Sequence, residues 1–340
     1  MSIRQPRTPR IGSSTAMKLQ QLRILAAIVQ NGFNITAAAA KIRSSQPAMS
    51  RQLQLLEAEL GFDIFIRNGT TLASLTKHGE QVLAHASRIL HEERMMASIR
   101  ESMFDPDAGT LSIGTTHTQA RYILPRVLGE FCARYPRVKV HLHQGSTDQI
   151  AEMAKLDRID FALASGSRAL FGQYVLLPAY ELDRCILVPP DHPLTRIIRL
   201  SLDRIAEYPL VTYVFGYTGR TSIREAFQAA GLQPNFALSA RDSDVIKTYV
   251  RLGLGVGIVA SIAVDAKADA DLVAMDAVNL FPRHTTWIGF PRGGLLRDYM
   301  YDFLQLLAPH LTRKAVEGAA AKTHQGEVDS VFARRELPVH

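Results

Sequence analysis

Cysteine and long apolar runs are scarce in this sequence, and each scarcity excludes a class of protein. Its two cysteines, Cys132 and Cys185, lack the spacing of a disulfide pair or a thiolate metal site, which predicts a reduced, cytoplasmic protein. No run approaches the roughly 20 apolar residues that span a bilayer. Residues 1–16 are basic and rich in Pro, Ser and Thr but have no apolar signal-peptide segment, so we expect a disordered tail and no membrane partner.

Motifs for catalysis or cofactor binding are also missing. Residues 253–257 resemble a dinucleotide loop, but they follow a predicted helix and precede a predicted strand, the wrong order for cradling pyrophosphate. No Gly-x-Ser-x-Gly elbow or His-Glu-x-x-His motif occurs. His141 and His143 fall on one face of a predicted strand without a third ligand at a useful spacing. We therefore predict that the protein is not an enzyme and holds no metal or cofactor.

Positive charge is concentrated at one end of the chain. Residues 1–67 hold nine Lys and Arg against three Asp and Glu, a balance of +6 out of a net charge of +7 for the whole chain. A basic head on an almost neutral body favours contact between the head and phosphates. The alternative is a basic tail that only improves solubility, since three of the nine charges lie within residues 1–16.

The segment 34–61 predicts two short helices joined by a tight turn. Residues 34–36 supply caps for a helix over 37–42, residues 43–45 break it, and a second helix runs from 46 to Gly61, with Pro47 tolerated in its first turn. Apolar residues at three- and four-residue steps give this second helix a buried face, and its polar residues are left outward. The buried positions are Met49, Leu53, Leu56 and Leu60, and the outward ones are Gln46, Ser50, Arg51 and Gln54. This arrangement is typical of a major-groove reader.

The flanking segments complete a domain over residues 17–76. A helix over 17–32 is expected to face its apolar residues inward and form a three-helix core, and residues 62–76 suit a short hairpin or wing. The inward residues of that helix are predicted to be Leu19, Leu22, Leu25, Ala26 and Val29. Together these segments predict a winged helix-turn-helix domain.

Residues 77–104 predict one long helix, capped by Thr76 and carrying an apolar stripe. Such a helix spans roughly 40 Å, which is more than the small head can cover. The favoured use of the stripe is a partner helix from a second subunit, and packing against its own chain is the alternative.

Beyond the breaker at 105–109, short strands alternate with helices, which predicts two α/β lobes with parallel sheets and a cleft between them. This ligand-binding domain is expected over 109–310. The first lobe would hold about 109–178 and 280–310, and the second about 179–279. Residues 311–340 are polar and irregular, and a helix of uncertain docking followed by a loose tail is expected there.

Two loops of similar character are predicted at the carboxyl ends of strands, where ligands of such sheets bind. Residues 114–119 and 216–222 each combine hydroxyl groups with the free amides of a helix start, a combination that holds an anion without a lysine. Ser165 is a third candidate at the same edge. The alternative is ordinary helix capping by Thr and Ser, but a matched loop in each lobe favours a small-anion cleft.

Residues 34–61, with the run Ser-Gln-Pro-Ala-Met-Ser-Arg-Gln at 45–52, resemble the DNA-binding domain of LysR-type transcriptional regulators. The later segments 115–122, 135–138, 143–146, 215–220 and 244–257 are similar to the CysB/Cbl branch of that family, which controls sulfur assimilation. The likeness extends from about residue 17 to residue 313.

The resemblance implies a periplasmic-binding-protein-like effector domain, a homotetramer built as a dimer of dimers, and promoter DNA and RNA polymerase as partners. It implies activation of genes for cysteine biosynthesis or sulfonate use. The effector would be N-acetylserine or O-acetylserine, with sulfate, thiosulfate or adenosine phosphosulfate as possible opposing ligands.

The resemblance also assigns candidate site residues. Effector-binding positions map onto Thr116, Thr118, Gln119, Ser165 and Thr218, with Ser165 in place of a threonine and Leu182 in place of a tryptophan near the pocket. The DNA-binding candidates come instead from the helix-turn-helix pattern and the wing, and they are Thr36, Ser45, Gln46, Pro47, Ser50, Arg51, Gln54 and Arg67. Two other classes remain as alternatives: a small-anion binding protein whose basic head only tethers it, and an anion-processing enzyme, which the missing catalytic groups disfavour.

Overall fold

The computed structural model describes residues 17–340 apart from Thr70, Pro106, Ser167 and residues 215–219. The expected tail over 1–16 and the candidate Thr218 lie outside the described residues. The chain forms two compact units: one holds most of the chain up to Arg100, and the other holds most of it from Glu101 onward. Within the described part of the chain, no helix combines the length and the apolarity that crossing a bilayer requires.

The N-terminal unit contains the predicted pair of helices. Its elements are α1 (Leu19–Gln30), α2 (Ile35–Lys41), α3 (Gln46–Leu60), β1 (Phe65–Asn68), β2 (Thr71–Leu75) and α4 (Lys77–Phe104). The Asn34 side chain caps α2 by accepting from the amide of Ala37 at 3.0 Å, and Ser45 caps α3 by accepting from Ala48 at 3.4 Å. Gly61 ends α3 in the left-handed region at φ 79°. The winged helix-turn-helix is therefore confirmed.

The core of this unit lies between α1, α3 and the first half of α4. It contains Leu22, Leu25 and Ile28 of α1 together with Met49, Leu53 and Leu56 of α3 and Leu83, Ala86 and Leu90 of α4. The expectation that Leu19 faces inward is wrong, since its side chain is 42% exposed. Leu19 is the first helical residue and lies outside the core cluster, so Ile24 and Ile28 supply the burial instead.

The wing and the long helix also form as predicted. β1 and β2 pair antiparallel, with Phe65 opposite Leu75. Thr76 caps α4 by accepting from the amide of Gly79 at 2.9 Å. Part of the apolar stripe of α4 is buried in its own unit, but Met96 is 64% exposed. The own-chain alternative thus accounts for the start of the stripe, and Met96 remains available to a partner helix.

The C-terminal unit consists of two lobes, each with a five-stranded sheet. Its first elements are β3 (Ala108–Thr115), α5 (Leu124–Arg134), β4 (Arg137–Gln144), α6 (Thr147–Lys155), β5 (Phe161–Ser165), β6 (Tyr174–Leu182) and β7 (Arg184–Val188). They are followed by α7 (Leu202–Ala206), β8 (Leu210–Tyr213), α8 (Arg220–Ala229), β9 (Phe236–Ala240), α9 (Ser243–Arg251), β10 (Val256–Ala260) and β11 (Val273–Asp276). The last are β12 (His284–Pro291), α10 (Asp298–Leu307), α11 (Arg313–Ala320) and α12 (Gln325–Phe332).

The predicted parallel pairing is present, since β3 runs parallel to β4 and β5, and β8 runs parallel to β9 and β10. Both sheets are nevertheless mixed, and their antiparallel pairs were not predicted. The first lobe has the order β4-β3-β5-β12-β6, and the second has β11-β7-β10-β8-β9. β12 runs antiparallel to β5 and β6, and β7 runs antiparallel to β10 and β11. The path of the chain accounts for the β6–β12 pair, because β6 leads into the second lobe and β12 returns from it.

The end of the first lobe also differs from the prediction. β6 was not expected, and the boundary placed at residue 178 falls inside it. The expected loose tail is wrong as well, because α11 and α12 pack into the core of the first lobe through Val316, Val328 and Phe332. Beyond α12, the amide of His340 donates to the carbonyl of Glu181 at 2.9 Å, so the chain end pairs with the free edge of β6.

Candidate functional site

The outward side chains of α3, Gln46, Ser50, Arg51 and Gln54, form a polar surface that we call the reading face. Gln46, Arg51 and Gln54 are exposed and Ser50 is half-buried. The Gln46 side-chain amide donates to the Ser50 hydroxyl at 3.1 Å. The predicted outward orientation of these residues is therefore confirmed.

The remaining DNA-binding candidates surround the reading face. Thr36 on α2 and Ser45 and Pro47 at the start of α3 are exposed. Arg67 lies on β1 of the wing, and its guanidinium donates to the carboxylate of Glu57 at 2.8 Å. All eight candidates are thus side chains of the helix-turn-helix and its wing, and seven of them are exposed.

A cavity of about 60 Å³ lies between the two lobes of the C-terminal unit. This is several times the roughly 10–15 Å³ that one water molecule needs. Its lining residues are Thr116, His117, Thr118, Gln119, Ser165, Leu182, Asp183, Arg184, Tyr213, Arg241, Ala260 and His284. The structure therefore brings four of the five effector candidates together around one cavity, along with Leu182, and the fifth, Thr218, is not among the described residues.

A chain of hydrogen bonds forms the wall contributed by the first lobe. The Thr116 hydroxyl donates to the Gln119 side-chain oxygen, and the Gln119 amide donates to Ser165 Oγ at 3.3 Å. Ser165 Oγ lies 2.7 Å from the hydroxyl of Thr286 on β12. Gln119, Ser165 and Thr286 are all buried. These groups satisfy one another, so a ligand that enters must exchange its own hydrogen bonds for theirs.

Arg184 supplies a buried positive charge from the second lobe. It opens β7, is 6% exposed, and donates to the hydroxyl of Ser222 at 3.0 Å. Burial lowers the pKa of Arg184 to about 10, which leaves the guanidinium protonated at neutral pH. A positive charge in a poorly hydrated wall attracts an anion more strongly than one in water does, so Arg184 favours an anionic ligand in the cavity. Arg184 was not among the predicted site residues, although a lone arginine at the start of the apolar strand Arg184–Val188 is a recognisable pattern.

Two further polar residues of the cavity were also missed. Burial and the Arg184 charge lower the pKa of His284 to about 4, so its imidazole is neutral at physiological pH. Among the described residues, its buried Nε2 has no hydrogen-bond partner. Burial raises the pKa of Tyr213, whose hydroxyl accepts from the amide of Ala260 at 3.2 Å. Neither group adds negative charge. The carboxylate of Asp183 also lines the cavity, but it pairs with the Arg283 guanidinium at 3.0 Å, and Arg241 adds a second positive charge to the lining.

Beside the cavity, Asp244 of α9 joins the two lobes in a group of contacts that we call the Asp244 network. His117, which lines the cavity, lies with Nε2 3.1 Å from the Asp244 carboxylate. Arg121 and the Tyr122 hydroxyl each contact the same carboxylate at 2.8 Å, and Lys247 lies 3.2 Å from it. Burial raises the pKa of Asp244, but hydrogen bonds from Tyr122, His117 and Lys247 outweigh it and hold this pKa below its ordinary value.

His117, Asp242 and Asp244 could also be considered as metal ligands, because their side-chain ligand atoms lie within 4.8 Å of one another. Arg121 already contacts the Asp244 carboxylate, and its charge repels a cation. Asp242 is the cap of α9 and accepts from the amide of Val245 at 2.8 Å. The donor set is thus committed to the fold rather than shaped for an ion.

Comparison with known proteins matches both units. The description "Bacterial regulatory helix-turn-helix protein, lysR family" fits residues 19–80, and "LysR substrate binding domain" fits residues 105–312. CysB of Haemophilus influenzae, an HTH-type transcriptional regulator, is 43% identical over 321 residues, which cover 94% of this chain and 99% of that protein. SsuR of Burkholderia cenocepacia, another such regulator, is 40% identical over 89% of this chain and 98% of its own length.

The crystal structure of the cofactor-binding domain of the Cbl transcriptional regulator superposes with a TM-score of 0.61 at 41% identity, covering 64% of this chain and 95% of that domain. These relatives are transcriptional regulators rather than enzymes, in agreement with the missing catalytic motifs. With its helix-turn-helix and its two-lobed domain both matched, the chain belongs to the LysR family of HTH-type transcriptional regulators, in the group of CysB, Cbl and SsuR.

Proposed function

We propose that this regulator reads promoter DNA with its N-terminal unit under the control of a small anion bound in the interlobe cavity. Its place in the group of CysB, Cbl and SsuR supports target genes in sulfur assimilation, cysteine biosynthesis or sulfonate use. The proposed effectors are N-acetylserine and O-acetylserine, or a sulfate-like anion such as sulfate or thiosulfate. The regulator acts mainly as an activator and recruits RNA polymerase.

The main support for an anionic ligand is the buried guanidinium of Arg184, which lies beside a wall of hydroxyl and amide groups. An oxyanion accepts hydrogen bonds from donors such as Thr116, Thr118 and Gln119 and balances the Arg184 charge. A neutral ligand of the same size would lack the attraction between this guanidinium and a negative charge. The guanidinium supports a negatively charged ligand, and the relatives support its sulfur chemistry.

Control follows from the fact that the cavity has walls from both lobes. Thr116 and Ser165 belong to the first lobe, whereas Arg184 and Tyr213 belong to the second. A ligand that contacts both walls stabilises the lobe arrangement in which both are within reach and shifts the population toward it. His117 lines the cavity and contacts Asp244, so a ligand also perturbs the Asp244 network. By linkage, any change in DNA affinity on effector binding has an equal counterpart in effector affinity on DNA binding.

DNA recognition is assigned to the reading face and the wing. Gln46, Ser50 and Gln54 have side chains that hydrogen-bond base edges in the major groove, and Arg51 suits a base edge or a phosphate. Thr36, Ser45 and Pro47 position the start of α3, and Arg67 contacts phosphates from the wing. The exposed Met96 of α4 supports pairing with a second subunit, and a dimer of dimers presents several readers to one promoter.

Isothermal titration calorimetry tests the effector site. N-acetylserine, O-acetylserine, sulfate, thiosulfate and adenosine phosphosulfate are titrated into the wild type and into Thr116→Ala. At least one anion should bind the wild type, and Thr116→Ala should weaken it roughly 5- to 10-fold through loss of about one hydrogen bond. The matched control is Thr323→Ala, which changes an exposed threonine just before α12. This variant should bind the anion as the wild type does. Equal binding by Thr116→Ala and Thr323→Ala would remove Thr116 from the site.

A gel shift tests the DNA function. The full chain is titrated onto the DNA upstream of its own gene and onto random duplex, at two salt concentrations and with and without the anion found by calorimetry. The proposal expects a preference for the promoter that survives moderate salt and changes with the anion. Equal affinity for both duplexes under all conditions would instead support an anion-binding protein without a regulatory site on DNA.

A further inference from the structure

A buried carboxylate connects α3, the helix that carries the reading face, to the wing. Glu57 lies on α3 and is 8% exposed. Its Oε1 accepts from the amides of Ile64 at 3.0 Å and Phe65 at 3.4 Å, where the chain enters β1. Its Oε2 accepts from Nη2 of Arg67 at 2.8 Å. One side chain of α3 therefore makes hydrogen bonds to both the backbone and the arginine of the wing.

The burial of Glu57 makes these contacts strong constraints. An ionised carboxylate removed from water is stable only when hydrogen bonds and an opposite charge replace its hydration. The two amides fix where β1 begins relative to α3, and the ion pair fixes the direction in which Arg67 extends from β1. Glu57 follows Gln54 by one helical step of three residues, so the wing is held close to the reading face.

We propose that Glu57 is a positioning residue that orients Arg67 toward the DNA phosphates in register with the reading face. The inference rests on the proposed function, in which Arg67 is a phosphate contact. Arginine presents several donors in a rigid fork, so one Nη group can bind Glu57 while the remaining donors bind a phosphate. Glu57 then holds Arg67 in the orientation that binds a phosphate, although the negative charge of Glu57 itself repels the DNA phosphates.

The salt dependence of promoter binding separates this role from a purely structural one. For duplex DNA the slope of log K against log salt changes by about 0.9 for each phosphate contact. Arg67→Ala should reduce the slope by about that amount. Glu57→Gln retains a side-chain oxygen for the amides of Ile64 and Phe65 but loses the charge that orients Arg67. It should therefore reduce the slope and weaken binding, whereas simple charge counting predicts tighter binding.

The matched control is Glu59→Gln, which removes the same charge from an exposed position on the same helix. It should leave the slope unchanged and bind at least as tightly as the wild type. The double variant Glu57→Gln with Arg67→Ala should bind DNA like Arg67→Ala alone, because both changes remove the same contact between Arg67 and a phosphate. Thermal unfolding of each variant verifies that the N-terminal unit is folded.

A second variant keeps the test decisive if Glu57→Gln fails to fold. Arg67→Lys keeps the positive charge at an exposed position but lacks the fork that serves Glu57 and a phosphate together. It should lose affinity and slope toward the Arg67→Ala values. Wild-type affinity and slope for Arg67→Lys would overturn the inference, as would a Glu57→Gln variant that behaves like Glu59→Gln. An unchanged slope for Arg67→Ala would overturn the wing contact in the proposed function as well.

Discussion

The reading face and the interlobe cavity both depend on polar side chains, but they hold them in opposite environments. Gln46, Arg51 and Gln54 lie exposed on α3, where water satisfies them until another molecule replaces it. In the cavity, Gln119 and Arg184 are buried, with hydrogen bonds to protein groups. The first surface suits a large polyanion approaching from outside, and the second suits a small anion that must displace existing hydrogen bonds. Changes on the reading face should therefore have little effect on stability, whereas changes among the buried groups of the cavity can lower or raise it.

A cavity in the core beneath the reading face should cost the most stability and promoter binding. Leu53→Ala leaves every polar residue of α3 in place but removes a buried side chain from the core. We expect a loss of about 2–5 kcal/mol in the free energy of unfolding of the N-terminal unit, with loss of promoter binding. Urea unfolding measures the first and a gel shift the second. Leu55→Ala, at an exposed position on the same helix, should be nearly neutral, and a cost equal to that of Leu53→Ala would contradict the assigned core.

Removing the buried charge of Arg184 should affect ligand binding in the cavity more than folding. Arg184→Met should reduce affinity for the anion by roughly 10- to 150-fold, since a hydrogen bond to a charged group is worth about 1.5–3 kcal/mol. Folding stability should stay equal or rise, because a buried guanidinium is replaced by an apolar side chain. Calorimetry and thermal unfolding measure the two quantities. Arg199→Met, at an exposed position, controls for net charge. Equal binding of the anion by both variants would exclude Arg184 as its charged partner.

The corresponding change on the reading face should separate function from stability. Arg51→Ala should weaken promoter binding by about 1–3 kcal/mol, or roughly 5- to 150-fold. Its effect on unfolding should stay within about 0.5 kcal/mol, because the side chain is exposed. Arg88→Ala, at an exposed position on α4, makes the same charge change away from the reading face. Fluorescence anisotropy with labelled promoter at moderate salt should distinguish the two variants, and equal affinities would exclude Arg51 from the contact.

The smallest expected effect is a pH dependence of the C-terminal unit. The pKa of His284 is near 4 in the folded protein, below its ordinary value near 6.5. The unfolded chain therefore binds more protons between these values, so this contribution is present above pH 6.5 and is lost as pH falls toward 4. Because His284 as a whole residue is only half-buried, water weakens the effect. His284→Gln should lower the slope of melting temperature against pH in this window, and an unchanged slope would show that the imidazole titrates normally.

Local features of the fold were predictable from the sequence because they depend on neighbouring residues. Asn34 and Ser45 cap the helices that follow them, and the three- and four-residue steps from Met49 to Leu56 face the core. The loop before α5 was likewise identified from Thr116 and Thr118. Each of these signals acts over a few residues, so the sequence alone carries it.

The unpredicted features involve residues that are distant in the chain. Phe332 is buried only because the first lobe provides a surface for α12, and the polar composition of residues 311–340 gave little sign of this. The orientation of β12 depends on the path of the chain through the second lobe. Arg184 carried a weak signal as one charge before an apolar strand, but nothing local showed that it faces a cavity.

The helix-turn-helix, the alternation of strands and helices, and the hydroxyl-rich loop before α5 follow from local sequence, because capping and amphipathic periodicity operate within a few turns of chain. The tertiary structure decided which polar groups share the cavity: Gln119 bonds Ser165 46 residues away, and Ser165 bonds Thr286 121 residues away. Burial of Arg184 and His284, and hence their lowered pKa values, arises only when both lobes exclude water from the same space.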